Sequence, residues 1–276
     1  MNDSTNLLSL EGLVFEATEI NLDRHVLSIT LNRPEKRNAI NTVMGNEIAY
    51  ALSYALQESN VRVVIIQAKG EVFCAGGDLA SMSGQVEETV STVPKIGGFD
   101  SISLLIRNIN KPVICKIQGS VYAGALLMVS NATHAIAVNE AKFAAPEIKR
   151  GIWPFMVMAG LFRVMPKRQG LDFIMRGEAI DAMTAEKYGL ITQAVAKDEL
   201  DQTVNKLATD FANLPPNTMK MGLAAYNRQD AMAFDDALPY LKEQLAKCLQ
   251  AEDAKEGIAA FFEKREPQWK GGKNES

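Results

Sequence analysis

The sequence predicts an α/β domain over about residues 1–200, followed by a helical region over about 201–276. Three observations predict it. Short runs rich in Val and Ile recur through the first two thirds of the chain. Between them lie segments with apolar residues at helical spacing. From Lys197 onward only helical patterning remains, broken at Pro215–Pro216.

Each element follows in chain order. "HVLSITLN" (25–32) alternates apolar and polar residues and reads as a strand. "NTVMGNEIAYALSYALQES" (41–59) carries a helical stripe, with Asn41 placed to cap its start. "VRVVIIQAKG" (61–70) reads as a buried strand ending in a turn, and "PVICKIQG" (112–119) as a second β-rich run. "GSVYAGALLMVSN" (119–131) opens on small residues and continues as an apolar helix. "HAIAVNEAKFAAPE" (134–147) reads as two short strands joined by a turn. "MVMAGLFRVMPKRQGLDFIMRG" (156–177) reads as two helices divided at Pro166, and "TAEKYGLI" (184–191) as a short helix running into an edge strand.

Composition narrows the function. Of 276 residues, 47% are apolar and 22% charged, enough core material for one large domain. A net charge of −4 argues against nucleic acid as the main partner, because phosphates want a positive field. The apolar runs are too short to span a bilayer, so no membrane partner is expected. "MNDSTNLLSLEG" lacks the cationic start and apolar core of a secretory signal. Cys74, Cys115 and Cys248 are odd in number and far apart, which fits a reducing, cytoplasmic setting rather than a disulfide framework or a cysteine zinc site. His25 and His134 lie in apolar, strand-like segments and read as structural, so no metal is expected. Glycine-rich phosphate-loop patterns are absent.

Three segments carry chemistry. In "VFCAGGDL" (72–79) a strand ends in a Gly-Gly turn with Asp78 at a helix start; the N–H near Gly77 either points into a cleft or simply belongs to a capped loop. Gly124 stands at the start of the next helix, where N–H groups lack intrahelical acceptors, or else it is small only for packing. Glu147 follows a proline inside an apolar stretch. It is either a solvated loop acid or a carboxyl held in an apolar pocket, where its pKa rises and it becomes a proton carrier near neutral pH. Together, two backbone donors converging on one oxygen and one glutamate beside them are the equipment for making an enolate next to a carbonyl.

Taken in order, "LNRPEKRNAI" (31–40), "FCAGGDL" (73–79), "KPVICKIQGSVYAGALLMVSN" (111–131), "AKFAAPEIKRGIWP" (141–154), "RGEAIDAMTAEKYGLI" (176–191) and "GIAAFFEKR" (257–265) resemble the crotonase (enoyl-CoA hydratase/isomerase) superfamily across nearly the whole chain. The resemblance implies a crotonase-like spiral of ββα units with a helical C-terminal trimerisation region. It implies an acyl-CoA thioester substrate, no cofactor beyond the CoA that the substrate carries, and assembly as a homotrimer or a dimer of trimers. By position it assigns Gly77 and Gly124 as oxyanion-hole donors and Glu147 as one of two family glutamates. It places Lys36, Arg37, Ala39, Ala75, Asp78 and Leu79 near the CoA nucleotide. Phe261 and Lys264 match C-terminal residues that reach toward CoA, often from a neighbouring subunit.

One departure decides between reactions. Hydratases of the family carry a second glutamate on the helix after the oxyanion glycine, and that position is Leu127 here. Their small residues after the other glutamate are replaced by "PFMVM" (154–158), and Trp153, Phe155, Met156 and Met158 either line an acyl tunnel or form plain core. A single carboxylate suffices to shift a 3-enoyl-CoA double bond to trans-2, so isomerisation is the preferred reading. Hydration of a 2-enoyl-CoA is the alternative, with Glu87, Glu88 or Asp100 of the loop 81–101 as candidate replacement acids or as plain solvated surface. A non-catalytic acyl-CoA-binding member is the other alternative, and the retained Glu147 argues against it.

Overall fold

The computed structural model describes residues 8–84 and 88–270. In chain order its elements are β1 (Thr18–Asp23), β2 (Val26–Leu31), α1 (Thr42–Gln57), β3 (Val63–Ala68), β4 (Val72–Cys74), α2 (Leu79–Met82), α3 (Ile102–Asn108), β5 (Val113–Ile117), β6 (Ser120–Tyr122), α4 (Leu126–Asn131), β7 (His134–Val138) and β8 (Lys142–Ala144). Then follow α5 (Phe155–Val164), α6 (Lys167–Arg176), β9 (Ile180–Asp181), α7 (Ala182–Lys187), β10 (Gln193–Val195), α8 (Leu200–Ala212), α9 (Pro216–Gln229), α10 (Phe234–Gln250) and α11 (Glu252–Glu263).

The strands build a larger sheet, in the order β1-β2-β3-β5-β7-β10, and a smaller one, β4-β6-β8-β9. Chain order against sheet order reveals the spiral. β3, β5 and β7 lie side by side and parallel in the larger sheet, while β4, β6 and β8, which follow each of them in sequence, lie side by side and parallel in the smaller sheet. A helical segment then leads to the next turn. Each turn is one ββα unit, and successive turns stack strand on strand.

Local chemistry explains the elements. The Asn41 side chain caps α1 by accepting from the Met44 N–H at 2.9 Å. In β3, Val63, Val64, Ile65 and Ile66 are all buried, the continuous apolar run of a parallel strand covered on both faces. Gly119 lets the chain cross from β5 to β6, since a Cβ there would strike the Glu71 carbonyl. Leu200, Val204, Ala208 and Ala212 form the buried stripe of α8, which covers β2, β3, β5 and β7. α9, α10 and α11 then pack against one another.

Patterning predicted neither β1 nor the short strands β6 and β9. In "TEINLD" only Thr18 is fully buried, and a hairpin to β2 holds the strand in place. β6 and β9 have three and two residues, too few for a period to appear. His134 begins β7 and packs on Phe211, with ring centroids 5.0 Å apart. His25 sits at the β1–β2 turn, its Nδ1 2.9 Å from the Asn60 carbonyl oxygen. No helix among the described residues is long and apolar enough to cross a membrane.

Candidate active site

The smaller sheet brings the three chemical segments to one edge. Gly77 follows the end of β4 by three residues, Gly124 the end of β6 by two, and Glu147 the end of β8 by three. Because β4, β6 and β8 are adjacent and parallel, all three residues lie beyond the carboxyl ends of neighbouring strands, where α/β sheets bind their ligands.

The two glycine turns touch. Gly76 holds φ +95°, and a Cβ on it would lie 3.0 Å from the Gly124 nitrogen and 2.8 Å from the Ala123 Cβ, so only glycine allows this approach. Residue 77 forms a parallel bridge with Ile40. That bridge uses the Gly76 carbonyl, which accepts from Ile40 at 2.8 Å, and the Asp78 N–H, which donates to the Ile40 carbonyl at 2.9 Å. The Gly77 N–H stays outside it. Gly124 is the second residue of a one-turn 3-10 helix, Ala123–Ala125, so its N–H precedes the first hydrogen bonds of that turn. Ala123 enters the turn at φ +52°, a left-handed conformation that costs a side-chain-bearing residue about 1 kcal/mol or more.

Glu147 lies in the 3-10 turn Pro146–Arg150, half-buried rather than at a solvated loop tip. Its Oε2 is buried and has no hydrogen-bond partner. Burial raises its carboxyl above the usual carboxylate range, against the opposing pull of a backbone hydrogen bond and of Arg150. The turn is braced from α6, where Gly177 at φ +57° approaches Ile148 and Ala145.

The segment assigned to CoA forms one cluster beside the first glycine turn. The Ala75 N–H donates to the Arg37 carbonyl at 3.0 Å, and Arg33 pairs with Asp78 at 3.2 Å while donating to the Ala39 carbonyl at 2.7 Å. Asn38, whose part the sequence did not disclose, pins this cluster: its buried amide donates to the Lys69 and Val72 carbonyls at 2.8 Å each and accepts from Arg33 at 2.9 Å. Lys36, Arg37 and Leu79 are exposed next to it. The Asp78 side chain caps α2 by accepting from Ala80, and its N–H and carbonyl are both engaged within the chain. Burial alone would raise its carboxyl, but Arg33 and the helix N–H groups hold it below the usual range.

Phe261 and Lys264 stand apart, on α11 and at its C-terminal cap. α11 packs on α9 and α10, Phe261 is 79% exposed, and its ring meets Phe262 edge-on. Of the loop acids, Glu88 and Asp100 are exposed, and Glu87 lies outside the described residues. Leu127 is 2% exposed, one helical turn beyond Gly124. Trp153 and Met158 pack on the core, with the indole N–H 3.1 Å from the Met158 sulfur, whereas Phe155 and Met156 are exposed.

The sequence reading missed what covers the glycines. A Cβ on Gly124 would run into the Phe99 ring at Cζ, with Cε2 3.1 Å away, and a Cβ on Gly77 would lie 3.1 Å from the Met82 sulfur. Both side chains come from the segment read above as a polar, acid-bearing loop. The signal available was Gly97-Gly98 immediately before an aromatic residue.

Two glycine N–H groups outside the Ile40 bridge and the first hydrogen bonds of the 3-10 turn, with a half-buried carboxyl beyond the next strand, suit an enzyme that holds an oxyanion and moves a proton beside it. Comparisons with known proteins narrow that class. The family model described as Enoyl-CoA hydratase/isomerase matches residues 21–273. Mevalonyl-coenzyme A hydratase of Aspergillus fumigatus is 32% identical over 258 residues, covering 90% of this chain and 93% of that protein. The crystal structure of an enoyl-CoA hydratase from Bacillus anthracis superposes with a TM-score of 0.84 at 25% identity, covering 93% of this chain and 100% of that one. The enoyl-CoA hydratase of Mycobacterium smegmatis gives 0.83 at 26% identity, covering 92% and 99%. The chain belongs to the enoyl-CoA hydratase/isomerase family of acyl-CoA enzymes.

Proposed function

We propose that the protein shifts the double bond of a 3-enoyl-CoA to trans-2-enoyl-CoA, with Glu147 as the single proton shuttle. The thioester carbonyl oxygen accepts from the Gly77 and Gly124 N–H groups. The Glu147 carboxylate takes a proton from C2. The electron pair left behind delocalises through C1 onto the oxygen, which the two donors stabilise by roughly 3 kcal/mol each. The same carboxyl returns the proton to C4 as C2=C3 forms and C3=C4 is lost. No cofactor enters, since CoA arrives with the substrate. Lys36 and Arg37 offer cations to its phosphates.

The observation that carries this reading is the contrast between Glu147 and Leu127. A half-buried carboxyl whose Oε2 has no hydrogen-bond partner is poised to carry a proton, while a buried leucine stands where a water-holding acid is expected. Hydration of a 2-enoyl-CoA is the second reading, favoured by the hydratase names of the relatives. Assembly as a homotrimer or dimer of trimers completes the proposal. Phe234, Leu238, Leu245 and Leu249 leave an apolar stripe exposed along α10, and a neighbouring subunit would bring Phe261 and Lys264 toward the CoA.

The test uses 3-hexenoyl-CoA deuterated at C2. One shuttling carboxyl carries part of the label to C4 of the product within the same molecule. Product formed with no label at C4, under conditions where C2 loses its deuterium, contradicts a single shuttle.

A further inference from the structure

The Phe99 ring covers the Cα of Gly124, and its backbone is fixed from below by α1. Asn46 in α1 is buried and grips the incoming strand of loop: its Oδ1 accepts from the Ile96 and Gly97 N–H groups at 2.9 and 3.3 Å, and its amide donates to the Pro94 carbonyl at 3.1 Å. One residue earlier, Gly45 lets the loop lie directly on the helix, since a Cβ there would sit 2.9 Å from the Phe99 nitrogen. Gly97 approaches Ala49 in the same way, 2.9 Å from a built Cβ. Ser101 closes the turn, its hydroxyl accepting from the Gly98 N–H at 3.1 Å and donating to the Gly98 carbonyl at 2.7 Å. The ring is therefore a positioned wall. It packs against the core on one side and keeps part of its surface accessible on the other, as Gly124 and Glu147 do.

By covalent geometry, the ring tip lies no more than about 5 Å from the Gly124 nitrogen. A carbonyl oxygen held at about 2.9 Å from that nitrogen brings C2 and C3 of its acyl group within reach of the ring. Resting on the assignment of the thioester oxygen to Gly77 and Gly124, we propose that Phe99 is a specificity-determining residue: it admits straight acyl chains and excludes those branched at C2 or C3. Met82 over Gly77, and the buried Leu127 one helical turn beyond Gly124, add apolar groups nearby. A branching methyl meets a ring that can yield only by turning about its own side-chain bonds, because the backbone behind it already touches α1. A single methyl in a well-formed pocket changes selectivity by about 10- to 200-fold.

The test measures binding of three saturated, unreactive thioesters to the whole protein by calorimetry: butyryl-CoA, 2-methylbutyryl-CoA and 3-methylbutyryl-CoA. Wild type is expected to bind butyryl-CoA at least tenfold more tightly than either branched one. In Phe99→Ala that preference falls by tenfold or more, and in Phe99→Leu it falls part of the way. Should Phe99→Ala fail to fold, judged by circular dichroism, the ratio in Phe99→Leu decides. Equal binding of all three by wild type overturns this inference alone, as does an unchanged ratio in a folded variant. Failure of every thioester to bind removes the acyl-CoA site itself, and this inference with it.

Discussion

The Phe99 ring lies so close over Gly124 that a Cβ there would enter it at Cζ and stand 3.1 Å from Cε2. Gly124→Ala therefore overpacks a fixed wall and is expected to destabilise the fold by about 1–3 kcal/mol. Phe99→Ala in the same chain removes the obstacle. Urea denaturation of both single variants and the double variant should reveal a favourable coupling of about 0.5–3 kcal/mol. Additive losses would mean that the ring and the glycine do not meet.

Glu147 predicts a pH signature in stability and in rate. Burial raises its carboxyl above the ordinary value, so the folded chain holds that proton more tightly than the unfolded chain does. Between the unfolded and the raised pKa the native state binds more protons, and stability falls as pH rises through that window. Glu147→Gln carries no such charge. Its Tm is expected to exceed that of wild type at pH 8, with the difference shrinking toward pH 4. The rate moves the opposite way: kcat/KM of wild type rises with pH through the raised pKa as the base ionises, and Glu147→Gln lowers kcat by about 10²- to 10⁴-fold. An acid limb at an unperturbed carboxylate pKa contradicts this assignment.

Leu127 is the expected point of reaction control. Leu127→Glu places a carboxyl in a position now 2% exposed, at a cost of about 1–3 kcal/mol, and supplies a second group to hold water. The ratio of crotonyl-CoA hydration to 3-hexenoyl-CoA isomerisation is expected to rise in Leu127→Glu and to stay low in Leu127→Met. Equal ratios in the two variants would dissociate Leu127 from the choice of reaction.

Asn46 is expected to matter beyond its own hydrogen bonds. Asn46→Ala strands the Ile96 and Gly97 N–H groups and the Pro94 carbonyl, costing about 1–3 kcal/mol. If the anchor fixes Phe99, the same substitution also weakens discrimination against branched acyl groups. Denaturation and thioester binding on one preparation check both expectations.

Much of this was legible in the sequence, for identifiable reasons. The α1 cap at Asn41, the all-apolar β3 and the helical stripe of α8 are local patterns that tertiary packing reinforced. Gly77, Gly124 and Glu147 stood out because glycines after β-rich runs and an acid among apolar residues are locally anomalous. Their shared edge was not legible, because it depends on β6, three residues long, lying between β4 and β8. The Phe99–Gly124 contact is purely tertiary, joining residues 25 apart through a loop whose composition looked polar. Asn38 and Asn46 read as ordinary polar positions, since a buried amide's partners are backbone groups that carry no sequence signature.

The central claim is that one carboxyl, at Glu147, moves a proton without a partner acid at position 127. The most direct measurement gives the purified protein 3-hexenoyl-CoA and crotonyl-CoA in separate assays, beside Glu147→Gln. The expected result is isomerisation of 3-hexenoyl-CoA that Glu147→Gln lowers by about 10²- to 10⁴-fold, with little water added to crotonyl-CoA. Robust, Glu147-dependent hydration of crotonyl-CoA without isomerisation would contradict it.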